Sequence, residues 1–364
     1  MSTRTRGGRV AVTAFASAVL ALGVAACGTT DEDSGDSGDS ASAESGTVGF
    51  LLPETKTTRY EAFDHPMFEE ALNELCPDCE LEYANSNQDA AQQQSQADSM
   101  LTKGIDVMVL DPVDGAAAES IVSKAESQGV PVVSYDRLAS GPVSYYVSFD
   151  NEKVGQLQGE ALLEEVGEGA SIVMINGSPT DPNAAQFKSG AHSALDGNVE
   201  IAAEFDTPDW SPDKAQQEMQ AAISDLGKEN IDGVYSANDG MAAGIVAAMK
   251  SAGMEGIPLT GQDAQVDGIQ RVLSGDQSLT IYKAIQPEAE AAAAMAVALI
   301  QGEDYPDATE SLDNGTQDVP SQLLDPVVVT ADNVQETVIA DGFYSPEDIC
   351  TGEYAAACEK AGIE

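Results

Sequence analysis

The sequence predicts an α/β protein of two similar lobes, each with a parallel sheet, and three observations predict it. From Thr47 onward, short and continuously apolar β-rich runs alternate with helical segments, the pattern of strands covered on both faces. The alternation starts afresh near Ser171. The two series also resemble each other. Ile105-Asp106-Val107, Asp114-Gly115-Ala116-Ala117, Val130-Pro131 and Tyr135-Asp136 parallel Ile231-Asp232-Gly233, Asp239-Gly240-Met241-Ala242, Ile257-Pro258 and Gln262-Asp263.

In chain order, the first element is not part of the fold. Arg4, Arg6 and Arg9 form a basic region, and the apolar run over residues 10–24 is too short to span a bilayer comfortably. Val24-Ala25-Ala26-Cys27 looks like a bacterial lipobox. Residues 1–26 are therefore expected to be a signal peptide, with Cys27 lipidated and anchoring the protein to the outer face of the cell membrane. The alternative is an ordinary secretory signal with an incidental cysteine. Residues 27–47, mostly Asp, Ser and Gly, cannot bury enough surface to order themselves and read as a flexible acidic tether. Their aspartates lack the spacing of an EF-hand loop.

In the first lobe, the strand at 48–52 leads to a helix at 67–75. A strand at 81–84 leads to a helix at 92–102, and one at 107–110 to a helix at 116–127, before a strand at 130–135. Strands at 171–175, 201–205, 233–236, 258–260 and 279–282 are expected in the second.

Composition narrows the function. The net charge is −46, and removing residues 1–26 takes away three arginines and no acid, which makes it about −49. Such a surface repels nucleic acid and anionic lipid. Cys76, Cys79, Cys350 and Cys358 remain after Cys27. In an exported chain an even set favours disulfides; proximity suggests Cys76–Cys79 and Cys350–Cys358, with two other pairings open. Cys76-Pro77-Asp78-Cys79 follows a helix instead of starting one, so a structural staple fits it better than a redox site. With only His65 and His192 besides paired cysteines, no metal site and no cofactor are expected.

Ligands of such sheets bind beyond the carboxyl ends of the strands. The polar residues there are Asp136-Arg137, residues 176–183, Asn238-Asp239, Asp263 and Lys283. Taken singly, each has a plainer role. Asp136 and Asp263 could cap helices, Arg59 and Lys283 could be surface charges, Asn238 could satisfy a turn, and Trp210 could cover local apolar surface.

Several blocks, in order and at matching spacing, make the chain recognisable. They are Tyr135-Asp136-Arg137-Leu138, Ser148-Phe149-Asp150-Asn151-Glu152-Lys153-Val154-Gly155 and Gly177-Ser178-Pro179-Thr180-Asp181-Pro182-Asn183-Ala184. Ser236-Ala237-Asn238-Asp239, Gly261-Gln262-Asp263-Ala264 and Asn314-Gly315 with Val319-Pro320-Ser321 complete them. Over nearly all of residues 47–345 the chain resembles bacterial periplasmic sugar-binding proteins of ABC importers, in particular the D-xylose- and multiple-monosaccharide-binding kinds. The resemblance implies a type I periplasmic-binding-protein fold, two Rossmann-like lobes joined by three crossing segments. It places 48–148 with 284–317 in the first lobe and 149–283 with 318–349 in the second, leaving 350–364 as a disulfide-closed tail. Crossings are expected near Ser148, Lys283 and Asp318.

Residue by residue, the resemblance implies a sugar site with Arg59, Tyr60, Asp136 and Arg137 on the first lobe. Asp181, Asn183, Trp210, Asn238, Asp263 and Lys283 come from the second lobe or the hinge. Glu54 and Lys56 align loosely at its margin. Tyr60 stands where the xylose-binding pattern has a tryptophan, and Pro182 where it has an asparagine. The chemistry suits a neutral sugar. Planar carboxylate, amide and guanidinium groups can each pair with adjacent hydroxyls, at roughly 1.5–3 kcal/mol for a desolvated bond to a charged group. Trp210 would stack on the C–H face. The implied protein is a monomeric, non-enzymatic receptor that closes on a monosaccharide and delivers it to an ABC permease. A receptor for a chemotaxis or sensor protein would use the same site. A glycosidase would need a raised carboxylic acid, whereas Arg59, Arg137 and Lys283 should keep these acids ionised. A sugar-responsive repressor would need a DNA-binding headpiece where the export signal stands.

Overall fold

A computed structural model describes residues 45–363. The expected signal peptide, Cys27 and most of the tether lie outside the described residues. The first lobe opens with β1 (Thr47–Leu52), α1 (His65–Leu75), β2 (Glu80–Asn85), α2 (Ala90–Lys103), β3 (Val107–Leu110), α3 (Glu119–Ser127), β4 (Val132–Tyr135) and β5 (Tyr145–Phe149). The chain then builds α4 (Asn151–Val166), β6 (Ser171–Asn176), α5 (Pro182–Leu195), β7 (Glu200–Asp206), α6 (Pro212–Leu226), β8 (Gly233–Ser236), α7 (Asp239–Ser251), α8 (Val266–Ser274) and β9 (Thr280–Tyr282). It returns through α9 (Ile285–Gln301), β10 (Glu310–Asp313) and β11 (Asp318–Leu324) to β12 (Val327–Val329), α10 (Pro346–Ile349) and α11 (Ala355–Ala361).

The large sheet runs β10-β11-β5-β4-β3-β1-β2, parallel except for β10. Its strands are apolar on both faces because both are covered. Phe50, Val109 and Val133 pack under α1 and α9, while Leu51, Met108 and Leu110 pack under α2 and α3. The second lobe is centred on β7-β6-β8. Two glycines set its outer layer: a Cβ on Gly155 would lie 1.8 Å from the Phe187 carbonyl, and one on Gly190 would lie 1.9 Å from that of Glu152. Backbone contact between α4 and α5 therefore fixes where the start of α5 points.

The internal repeat is a shared piece of hydrogen bonding. Asp106 accepts the N–H of Thr47 at the start of β1 at 2.7 Å, and Asp232 accepts that of Ser171 at the start of β6 at 2.8 Å.

Three expectations change. Asp318–Leu324 pairs with β5 in the first sheet, so the third crossing falls after Leu324, not near Asp318. Its alternating Val319 and Ser321 are buried, and the strand lies between β10 and β5. The run 258–260 forms no full strand. Leu259 makes one bridge to Val234, and main-chain bonds from Thr260 to Val234 and from Ile281 to Gly261 connect β8 towards β9. The helix expected from 116 starts at Glu119, because Asp114 takes the N–H groups of Ala116 and Ala117 into a separate turn.

Both disulfides form as proximity suggested, Cys76–Cys79 and Cys350–Cys358. The second closes a segment that is docked, not trailing: Gln270 of α8 donates to the Ile349 carbonyl at 2.9 Å. Phe343 stacks on Phe63 of the first lobe at 4.2 Å and lies in one core with Ile269 of the second. Among the described residues no helix is long and apolar enough to cross a membrane.

Candidate functional site

The carboxyl ends of β1 and β4 supply one wall of a cavity between the lobes. After β1, buried Glu54 accepts the N–H groups of Lys56 and Thr57, turning the chain so that Tyr60 begins a short helical turn, Tyr60–Asp64. After β4, Asp136 takes a left-handed conformation at φ 56°. Its carbonyl accepts from Tyr146 at 3.0 Å, Ser148 at 2.6 Å and the Asn183 amide at 3.0 Å. Such a backbone is costly for a non-glycine residue and persists only when over-determined in this way. Asp209, Trp210, Asp263 and Ala264, at or beside the opposite wall, also have positive φ.

That opposite wall hangs on helix starts. Asp181 caps α5 through the Asn183 N–H at 2.9 Å, and its other oxygen accepts from Trp210 Nε1 at 3.0 Å. Asn238 caps α7 through the Met241 N–H at 2.9 Å. Trp210 lies against Gly177, where a Cβ would come within 2.0 Å of the ring. Only glycine leaves room for the indole there. Asp263 lies 3.1 Å from Lys283 Nζ, which sits 5.5 Å from the centre of the Phe187 ring.

Nine of the ten residues expected here line one cavity: Tyr60, Asp136, Arg137, Asp181, Asn183, Trp210, Asn238, Asp263 and Lys283. Arg59 does not. It lies one layer behind, with its guanidinium 3.1 Å from Asp136, 2.6 Å from Asp64 and 2.6 Å from Glu288. A buried guanidinium surrounded by carboxylates is worth more as their counter-charge than as a cavity lining. Glu54 holds a turn, and Lys56 crosses to the Asp209 carbonyl at 3.3 Å. Thr57, Phe187 and Gln262 complete the lining and were not anticipated. Gln262 lies inside the Gly261-Gln262-Asp263-Ala264 block, and Phe187 is one helical turn after Asn183, so both left a signal. Thr57 left none, since its place depends on Glu54.

The walls touch. Arg137 Nε lies 2.8 Å from Asp181, an ion pair without an aligned hydrogen bond, and the Gly115 N–H reaches the Thr180 carbonyl at 3.3 Å. With the walls this close, the cavity encloses only about 20 Å³, well below the usual size of a small-molecule site. Burial alone would raise the Asp136 carboxyl, but Arg59, Lys283 and Arg137 outweigh it and hold it at about 2. Asp181 departs from the expectation that these acids stay low: burial raises it despite Arg137. Buried acceptor oxygens of Asn183 and Gln262 have no protein partner. Among the described residues no cluster of acids, histidines or cysteines could hold a metal.

A family model described as "Periplasmic binding protein domain" matches residues 48–304. The chain is 34% identical to the D-xylose-binding periplasmic protein of Escherichia coli, over 85% of this chain and 94% of that protein. It is 32% identical to the multiple sugar-binding periplasmic receptor ChvE of Rhizobium radiobacter, over 84% and 93%. An ABC transporter solute-binding protein of Clostridium phytofermentans, solved with bound β-D-glucose, superposes with a TM-score of 0.77 at 30% identity, covering 83% of this chain and 99% of that one. The chain belongs to the periplasmic binding protein family, as a homologue of its xylose- and multiple-sugar-binding members.

Proposed function

We propose that this protein captures one monosaccharide, xylose or a related pentose or hexose, between its lobes outside the cytoplasm and delivers it to an ABC permease. One observation carries the reading. The cavity between the lobes has an indole on one side, carboxylate, amide and guanidinium groups around it, and two buried acceptors still without partners. Sugar hydroxyls would supply the missing donors. The cavity's charges pair within the protein, as Arg137 with Asp181 and Lys283 with Asp263, so a neutral ligand leaves no unpaired charge behind. Binding, not catalysis, suits Asp181: one oxygen is committed to a helix N–H and the other to an indole and a guanidinium. The homologues belong to a non-catalytic family.

In this reading, Tyr60, Asp136, Arg137, Asp181, Asn183, Trp210, Asn238, Asp263 and Lys283 meet the sugar, and Arg59 holds Asp136 in place. The lobes hinge at three segments, near Phe149, Lys283 and Leu324, and ligand shifts them towards the closed form by its differential affinity. Cys27, after small residues and an apolar run, carries the lipid that holds the protein beside its permease.

Calorimetric titration with D-xylose, L-arabinose, D-glucose, D-galactose and D-ribose tests the site. Saturable one-to-one binding of at least one sugar is expected. No heat and no thermal stabilisation with all five would overturn the reading. Cys27→Ala is expected to release the protein from membranes without changing sugar affinity.

A further inference from the structure

Tyr60 is buried at 3% exposure, and its hydroxyl sits between two charged groups of the first-lobe wall. It lies 3.2 Å from Asp136 Oδ2 and 3.2 Å from Arg137 Nη2. Chemistry fixes the direction of both bonds. A guanidinium can only donate and an ionised carboxylate can only accept, so the single phenolic proton goes to Asp136 and one lone pair takes the Arg137 proton. What the hydroxyl has left is one acceptor position and no proton. Burial raises the phenol well above its usual range, so it remains protonated.

The ring is engaged as well. The Arg59 guanidinium carbon lies 5.2 Å from its centre and that of Arg137 5.8 Å, within cation–π range. Tyr60 therefore differs from Trp210, whose ring packs on Gly177.

We propose that Tyr60 is a specificity-determining residue: its hydroxyl offers the ligand an acceptor only, and so demands a sugar hydroxyl that donates at the position facing it. The proposal rests on the sugar-site reading above. A sugar with fluorine at that position brings a second acceptor against the phenolic oxygen and leaves a desolvated group unpaired, a mismatch that sites built around a hydroxyl reject strongly. At other positions, Tyr60 makes no difference.

The test takes the tightest-binding sugar of the panel and its monodeoxyfluoro derivatives, one hydroxyl at a time, against the wild-type protein and Tyr60→Phe. The parent sugar is expected to bind Tyr60→Phe about three- to tenfold more weakly. At one position, fluorine is expected to weaken wild-type binding about tenfold or more, and Tyr60→Phe by no more than about twofold. Penalties at the other positions are expected to match between the two proteins. Tyr60→Trp, whose indole N–H can only donate, is a second variant expected to lose the same single penalty. A fluorine profile that is the same in wild type and both variants overturns the proposal while leaving the sugar site standing. A wild type that binds none of the sugars overturns the site and the proposal together.

Discussion

The two walls of the cleft hold their polar groups by opposite means. In the first lobe, charge answers charge: one buried guanidinium, Arg59, faces Asp64, Asp136 and Glu288, and Arg137 reaches towards Asp111 and Asp181. In the second lobe, apart from the Lys283–Asp263 pair, helix starts and amides do the holding. Its most buried carboxylate, Asp239, accepts from Gln277 at 2.7 Å, Thr280 at 2.9 Å and the Gln265 N–H at 2.9 Å. The electrostatic results differ in sign. Asp136 is held at about 2, whereas burial pushes Asp239 up to about 7, with Arg271 and its hydrogen bonds only partly opposing it. Three cations together outweigh the burial of Asp136, whereas the single cation near Asp181, Arg137, and the one near Asp239, Arg271, do not outweigh theirs.

The comparison breaks most directly at Arg59. Arg59→Met leaves three buried carboxylates without their shared counter-charge, and a loss of about 3–5 kcal/mol is expected in urea unfolding. A loss below about 1 kcal/mol would mean that the first wall does not depend on its charge cluster.

A smaller effect is expected on the second wall. Gly177→Ala adds a methyl where the Trp210 ring lies, forcing the indole into the cavity. Affinity for the best sugar is expected to fall about tenfold or more, with the protein still folded by circular dichroism. Unchanged affinity would remove Trp210 from the binding wall.

The smallest effect concerns pH, and its sign separates Asp239 from Asp136. Asp239 binds its proton more tightly folded than unfolded, so its contribution is full below about pH 4 and is lost as pH rises through about 7. Asp136 does the reverse, its contribution being present above about pH 4 and lost as pH falls towards 2. Asp239→Asn is expected to flatten the fall in melting temperature between about pH 4 and 7 relative to wild type. An unchanged slope would show that the proton resides elsewhere.

Much of this was legible in the residues. Continuous apolar runs such as Val107-Met108-Val109-Leu110 became strands buried on both faces. The polar residues after them came together, because a parallel sheet puts successive carboxyl ends at one edge. What stayed hidden depends on side-chain direction and long-range pairing. Arg59 belongs to the right loop but points away from the cavity, since Asp64 and Glu288 lie on the other side, and Glu288 is far away in sequence. Asp318–Leu324 carries no pattern that says which sheet it joins; its register with Tyr146–Phe149 decides it. Gln262 joins its neighbour Asp263 on one wall, where Asp263 has a left-handed backbone at φ 87° that the residue types alone do not reveal.

The central claim is that a monosaccharide sits between these walls against Trp210, the only tryptophan of the chain. The most direct measurement is therefore a fluorescence titration of the purified protein with the five sugars, repeated on Asp263→Ala and on Asp136→Asn. The account predicts a saturable change in tryptophan emission with at least one sugar, weakened by a substitution on either wall. Binding that leaves Trp210 emission unchanged, or that survives both substitutions at full affinity, would place the ligand elsewhere and contradict it.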